Sequence, residues 1–219
     1  MTLFYYQYVQ LFSLLLAILC RKGLNFFSIG ILIPILLLDN ITEIIGSNFT
    51  RIFHSPDNYF VYNIYYLLST PLYLYLFAAM LKGDAREKRR LLITGIAIEL
   101  FIIVNYFCIQ GRVEFNTFNA LLVGTANIVL SCLVLTRLAI RKEEETKMLM
   151  VDPYFWINAM ILLFSLVSII VLGLQKYIAL NHLQFEGKNL YFALLEAANA
   201  ALYTGYSGAF LLCQTQRSK

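Results

Sequence analysis

The chain has 219 residues, of which 60% are hydrophobic and only 14% charged, and its mean hydropathy is +0.70. A soluble domain carries roughly a quarter charged residues, so a water-soluble fold of this length is excluded and a polytopic membrane protein is the natural class. The net charge of +4 is small, no nucleic-acid partner is expected, and the placement of the charges carries more information than their sum.

Seven apolar segments follow one another: about 3–20, 24–46, 59–81, 91–110, 115–139, 154–175 and 189–213. Most approach the roughly 20 residues that cross the hydrocarbon core. The first lacks a basic leader and a small-residue cleavage site, so it reads as a span rather than a signal peptide. Arg21, Lys22 and Gly23 separate the first two segments and predict a tight hairpin there. Every connection is short, so consecutive helices should run antiparallel. With no glycine- or serine-rich linker, residues 1–219 form a single domain.

Pro34 and Pro71 fall inside the second and third segments and should kink them by removing a backbone donor. Asp152 followed by Pro153 reads as an N-cap and a first-turn proline, a clear start for the sixth. Arg141 to Glu145 reads as a solvated helical extension of the fifth.

Orientation follows from lysine and arginine. Of the 17 basic residues, all but Arg51, Arg112, Lys176 and Lys188 fall after segments one, three and five or at the C-terminus. That majority includes Lys82, Arg86, Lys88, Arg89, Arg90, Arg137, Arg141, Lys142, Lys147, Arg217 and Lys219. The expected fold is therefore all-α, an integral membrane bundle of seven transmembrane helices, N-terminus outside and C-terminus cytoplasmic. Aromatic clusters at Phe4 to Tyr8, Tyr59 to Tyr62 and Tyr154 to Trp156 fit the two interfacial belts.

The polar residues inside the spans carry the chemistry. Asp39 and Glu43 lie one helical turn apart in the second segment, beside Asn40 and Thr42. Glu99 falls near the middle of the fourth and Glu196 in the outer half of the seventh. No lysine or arginine lies in the central part of any span, so these four acids have no obvious cationic mate. Asp39 and Glu43 share a face and repel if both are ionised. Protonation, hydrogen bonding to Asn, Tyr and Ser, or capture of a cation would each resolve this. The plainer reading is that neutral acids stitch helices together through Asn and Tyr.

Glu196, Asn199, Tyr203 and Tyr206 form a polar stripe on the last segment, and Tyr59, Asn63, Tyr66, Thr70 and Tyr73 another on the third. Such stripes either pack with one hydrogen bond per tyrosine or wall a pocket. The candidate ligand-binding residues are Asp39, Glu43, Asn63, Tyr66, Glu99, Glu196 and Asn199. Their expected place is a polar cavity bounded by segments two, three, four and seven and open only to the outside.

Cys20, Cys108, Cys132 and Cys213 stand singly, and the two histidines, His54 and His182, lie outside the spans. No metal site and no cofactor is expected, and no catalytic motif points to an enzyme.

ITEIIG at 41–46, NYFVYNIYYLL at 58–68, DPYFWINAMILLFS at 152–165 and a last helix ending LLCQ at 211–214 together resemble a group of small seven-helix integral membrane proteins of Bacteroidota-type bacteria. The resemblance covers most of the chain. It implies the seven-helix fold and the bacterial inner membrane, and suggests a setting near sensor kinases. Rhodopsins share the helix count, but residues 189–213 contain no lysine for a retinal Schiff base.

The first function expected is receptor-like or sensory, with an outward pocket for a small cationic ligand and a cytoplasmic signalling partner at the basic inner loops. The alternative is a small proton- or cation-coupled transporter.

Overall fold

A computed structural model describes residues 4–54, 57–81, 83–112, 114–144 and 148–218. The described chain is almost entirely helical. In order, the helices are α1 (Tyr5–Leu19), α2 (Arg21–Phe26), α3 (Leu32–Ser47), α4 (Phe49–Phe53), α5 (Tyr59–Leu81), α6 (Ala85–Val104), α7 (Thr117–Glu144), α8 (Pro153–Leu180) and α9 (Leu190–Arg217). A π-helical turn, Asn105–Ile109, prolongs α6. A two-residue hairpin pairs Gln184 with Asn189 and Phe185 with Lys188 between α8 and α9.

Among the described residues, four helices are long and apolar enough to cross a membrane: α5, α6 with its extension, α7 and α8. Helix α1 is apolar but has only 15 residues. Helix α9 has 28 residues and is less apolar, since it carries Glu196, Asn199, Tyr203, Tyr206 and a polar end from Gln214 to Arg217.

What the helices expose supports an apolar solvent. Helix α1 buries Tyr6, Gln7, Gln10, Ser13 and Ala17 and exposes Phe12, Leu15, Ile18 and Leu19. Leu92, Ile93, Ile170 and Tyr177 are each more than half exposed on other helices. A water-soluble monomer does not present apolar surface on this scale. The polar-in, apolar-out pattern suits a bundle embedded in lipid.

Contacts between helices fix the layout. Helices α1, α3, α5, α7, α8 and α9 each pack on the next, and α9 closes the ring against α1. Helix α6 lies outside this ring, mainly against α5. The alternating direction gives the bundle two ends. One end gathers the ends of α5 and α7 and the starts of α6 and α8: Arg137 bonds to Leu81, and Tyr154 to Phe27. Arg21, Lys22, Arg86, Lys88, Arg89, Arg90, Arg141 and Arg217 belong to this basic end. Lys82, Lys147 and Lys219 lie outside the described residues. Arg51, Arg112, Lys176 and Lys188 lie at the opposite end.

The second segment is not one helix, as the sequence predicted. Arg21 to Phe26 continue in helical form after α1, and the chain reverses at residues 27–31 instead of at 21–23. The stop is a Schellman motif: Ser28 has φ 59°, its N–H bonds to Asn25, and Ile29 N–H bonds to Leu24. The apolar contact that accompanies this motif is present, since Leu24 and Ile29 are both fully buried. Serine at a position usually held by glycine hid the stop from the sequence. Helix α8 ends the same way, with His182 at φ 49° and Leu183 N–H bonding to Ile178.

Gly23 explains why α2 follows α1 without turning. A Cβ there would lie 2.9 Å from the backbone of Cys213, so α2 lies directly on α9. Pro34 is likewise corrected: it stands in the first turn of α3, where its missing N–H breaks no helical bond, so no kink arises. Pro71 does stand inside α5. The cap at Asp152 forms as expected, accepting from Tyr154 N–H at 2.9 Å. Helix α7 runs to Glu144, and Glu145 lies outside the described residues.

Candidate functional site

Asp39 is 4% exposed, near the middle of α3. Its Oδ1 accepts the Tyr65 hydroxyl of α5 at 2.8 Å, and its Oδ2 the Tyr203 hydroxyl of α9 at 3.3 Å. Tyr203 in turn accepts from Gln10 Nε2 of α1 at 3.1 Å. One carboxylate thus ties three other helices together. The helical period makes this possible, because α1 turns Tyr6, Gln10 and Ser13 inward on one stripe.

Glu43 lies one turn further toward the end away from the basic residues. Its Oε2 accepts the Tyr6 hydroxyl at 2.7 Å, and the Tyr62 hydroxyl bonds to the same carboxylate. Gly46 allows the approach of Tyr62, since a Cβ there would lie 2.8 Å from the Tyr62 oxygen. Gln7 Nε2 closes this layer by donating to the Glu43 carbonyl at 3.2 Å and to Ser47 Oγ at 3.0 Å. The two carboxylates therefore sit in one tyrosine-rich cluster formed by α1, α3, α5 and α9.

The other candidates distribute differently. Glu196 does have a cationic mate, contrary to the sequence expectation: Lys188 Nζ donates to it at 2.7 Å. The β-turn between α8 and α9 places Lys188 eight residues before Glu196, so a loop residue reaches down beside the span. Asn199 is half-buried one turn along α9.

Asn63 is 2% exposed, and its side chain is committed to the loop before α7. It donates to Glu114 O at 2.8 Å and accepts from Asn116 N–H at 3.0 Å. The ring of Tyr66 packs between Tyr65 and Phe115, beside the small apolar cluster of Ile98, Ile102 and Val123. Glu99 follows Ile98 of that cluster on α6, the helix outside the ring. Its Oε1 is buried with no hydrogen-bond partner among the described residues. Asp39 and Glu43 are thus brought together, Glu196 stands nearby at the rim, and Glu99 belongs to a separate place.

Sequence reading missed Tyr6, Gln7, Gln10, Tyr62 and Tyr65 as site residues. The signal was present in α1: Tyr6, Gln10, Ser13 and Ala17 recur at helical spacing in an otherwise apolar stretch. Asn105 is a further such residue. Fully buried at the π-turn, it donates to Asn119 Oδ1 and to Gln110 Oε1, both at 2.9 Å, and fastens the end of α6 to the start of α7.

Toward the basic end the interior below Asp39 is apolar. Leu32, Ile35, Leu36, Leu76, Phe77 and Phe210 are all fully buried. Asn158 sits among such residues and bonds to Tyr154 O at 2.8 Å and to Met80 Sδ at 3.2 Å. Among the described residues, no three His, Cys, Asp or Glu side chains are grouped to hold a metal ion. Comparison with protein-family models, with curated proteins and with solved structures finds no match for this chain.

Proposed function

We propose that the protein is a multi-pass receptor-like or sensory protein of the bacterial inner membrane that binds a small cation at Asp39 and Glu43. In this reading α1, α3 and α5 to α9 are the seven transmembrane helices, the N-terminus is outside and the basic end is cytoplasmic. One observation carries the proposal. Two carboxylates one turn apart are met by tyrosine hydroxyls from three other helices, and no basic side chain contacts either among the described residues. Hydrogen bonds orient a carboxylate but leave its charge uncompensated, and in a low-dielectric interior that is costly. A cation entering between them supplies the missing charge, and tyrosine faces suit an amine or ammonium as well as an inorganic ion. In this reading Glu196 and Asn199 of α9 and Tyr66 of α5 would complete the site on its outer side, and the basic end would meet a cytoplasmic signalling partner.

The fully buried apolar layer below Asp39 favours a binding site over a transport path, which needs access from both sides. The test is thermal unfolding of the purified protein in nanodiscs with a panel of monovalent cations and small amines. At least one should raise the Tm in a saturable way, and Asp39→Asn with Glu43→Gln should abolish the shift. If no member of the panel stabilises the wild type more than the double variant, the proposal fails.

A further inference from the structure

At the basic end a cavity of about 250 Å³ opens between α5, α7 and α8. Its floor is apolar, made by Met80, Val134 and Leu138, and its rim carries Arg137, Arg141 and Tyr154.

The two arginines are held differently. Arg137 is fixed by a forked pair to Glu87 and by a bond to Leu81 O at 3.3 Å. Arg141 has Asp152 Oδ2 at 3.6 Å, beyond hydrogen-bond reach, and its Nε is buried with no hydrogen-bond partner among the described residues. Asp152 spends its Oδ1 capping α8. A guanidinium fork with one buried donor unused can receive an oxyanion, because its N–H groups match a phosphate or carboxylate bidentately.

We propose that this cavity binds the phosphate of an anionic phospholipid, with Arg141 as the phosphate ligand, Arg137 flanking it and the first methylenes of one acyl chain against Met80, Val134 and Leu138. Among the described residues the carboxylates at the two arginines are Glu87, paired with Arg137, Asp152, opposite Arg141, and the more distant Asp84, and Arg86, Arg89 and Arg90 add positive charge to the same end of the bundle. A charged rim over an apolar floor, at the end of the bundle with most basic residues, is the form that pockets for anionic headgroups take. A free phosphate shares the headgroup's chemistry but gains nothing from the floor.

The test is native mass spectrometry of the full chain, released from detergent, with phosphatidylglycerol and phosphatidylcholine of matched chains. Inorganic phosphate at millimolar concentration forms the competing arm. Phosphatidylglycerol should occupy the protein about fivefold more than phosphatidylcholine, one basic contact's worth. Arg141→Gln should bring the two lipids level, and Arg141→Lys should keep part of the preference. Asp152→Asn retains an N-cap acceptor and removes the nearby competing carboxylate, so it should raise phosphatidylglycerol occupancy; this variant decides the matter if Arg141→Gln does not fold. Displacement of the lipid by inorganic phosphate would overturn the lipid assignment in favour of the free ion. Equal binding of both lipids by the wild type, or a preference unchanged by Arg141→Gln and Asp152→Asn, overturns the site itself.

Discussion

Removing the Tyr65 hydroxyl tests the Asp39 cluster most directly. Tyr65 supplies the short bond to the buried carboxylate, at 2.8 Å, while Tyr203 supplies one at 3.3 Å, longer than the usual 2.7–2.8 Å for a hydroxyl donor. Hydrogen bonds to charged groups are worth about 1.5–3 kcal/mol in water-soluble proteins. Interhelical bonds inside bilayers average about 0.6 kcal/mol and reach about 1.7. Asp39 is nearly fully buried and Tyr65 is its better donor, so Tyr65→Phe should lie at the upper end of the membrane range, about 1.5 kcal/mol destabilised. Asp39→Leu alone leaves two tyrosine hydroxyls without their acceptor and should also destabilise. Together the two changes replace the bonded pair by apolar groups and should cost less than their sum, with a coupling energy of about 1–1.5 kcal/mol. The cycle is read by reversible unfolding in mixed micelles with increasing denaturing detergent. Tyr203→Phe should couple to Asp39 more weakly and to Gln10 as well, since Tyr203 accepts from that amide. Coupling between Tyr65 and Asp39 within the ~0.3–0.5 kcal/mol expected of independent sites would refute the reasoning.

Three further outcomes follow from the same structure. Gly23→Ala should destabilise by about 1–3 kcal/mol because the new methyl group meets the Cys213 backbone, whereas Gly173→Ala, with nothing within 4 Å, should stabilise by roughly 0.5–1 kcal/mol; equal effects in the unfolding assay would contradict the α2–α9 packing. Glu99→Leu should be neutral or stabilising by about 1 kcal/mol, since it removes a buried oxygen with no hydrogen-bond partner; if it also abolished a cation-induced Tm shift, Glu99 would have to be returned to the binding site. A C-terminal fluorescent-protein fusion should be bright and an alkaline-phosphatase fusion silent, and the reverse result would invert the proposed orientation.

The sequence by itself determined the helical class, the apolar surface and most helix positions. Tyr59–Leu81 was legible to the residue because its apolar run is long and bounded by polar loops. The cap at Asp152 was legible because capping is local chemistry, settled by neighbours in the chain. Asp39 and Glu43 stood out for the same reason, since charge in an apolar run is costly wherever the run packs. Tertiary structure decided who meets those acids. Tyr6, Tyr65 and Tyr203 lie 26 to 164 residues from their carboxylates, and no spacing rule within one helix reports such a contact. It also decided that α6 stands outside the ring, which separates Glu99 from the other acids although its sequence environment looks alike. The turn after α2 needed both levels. Its left-handed residue is Ser28 instead of glycine, and only the burial of Leu24 and Ile29 with the seating of Gly23 on α9 makes that stop the stable one. Helical periodicity fixes which residues share a face, whereas long-range packing chooses what that face meets.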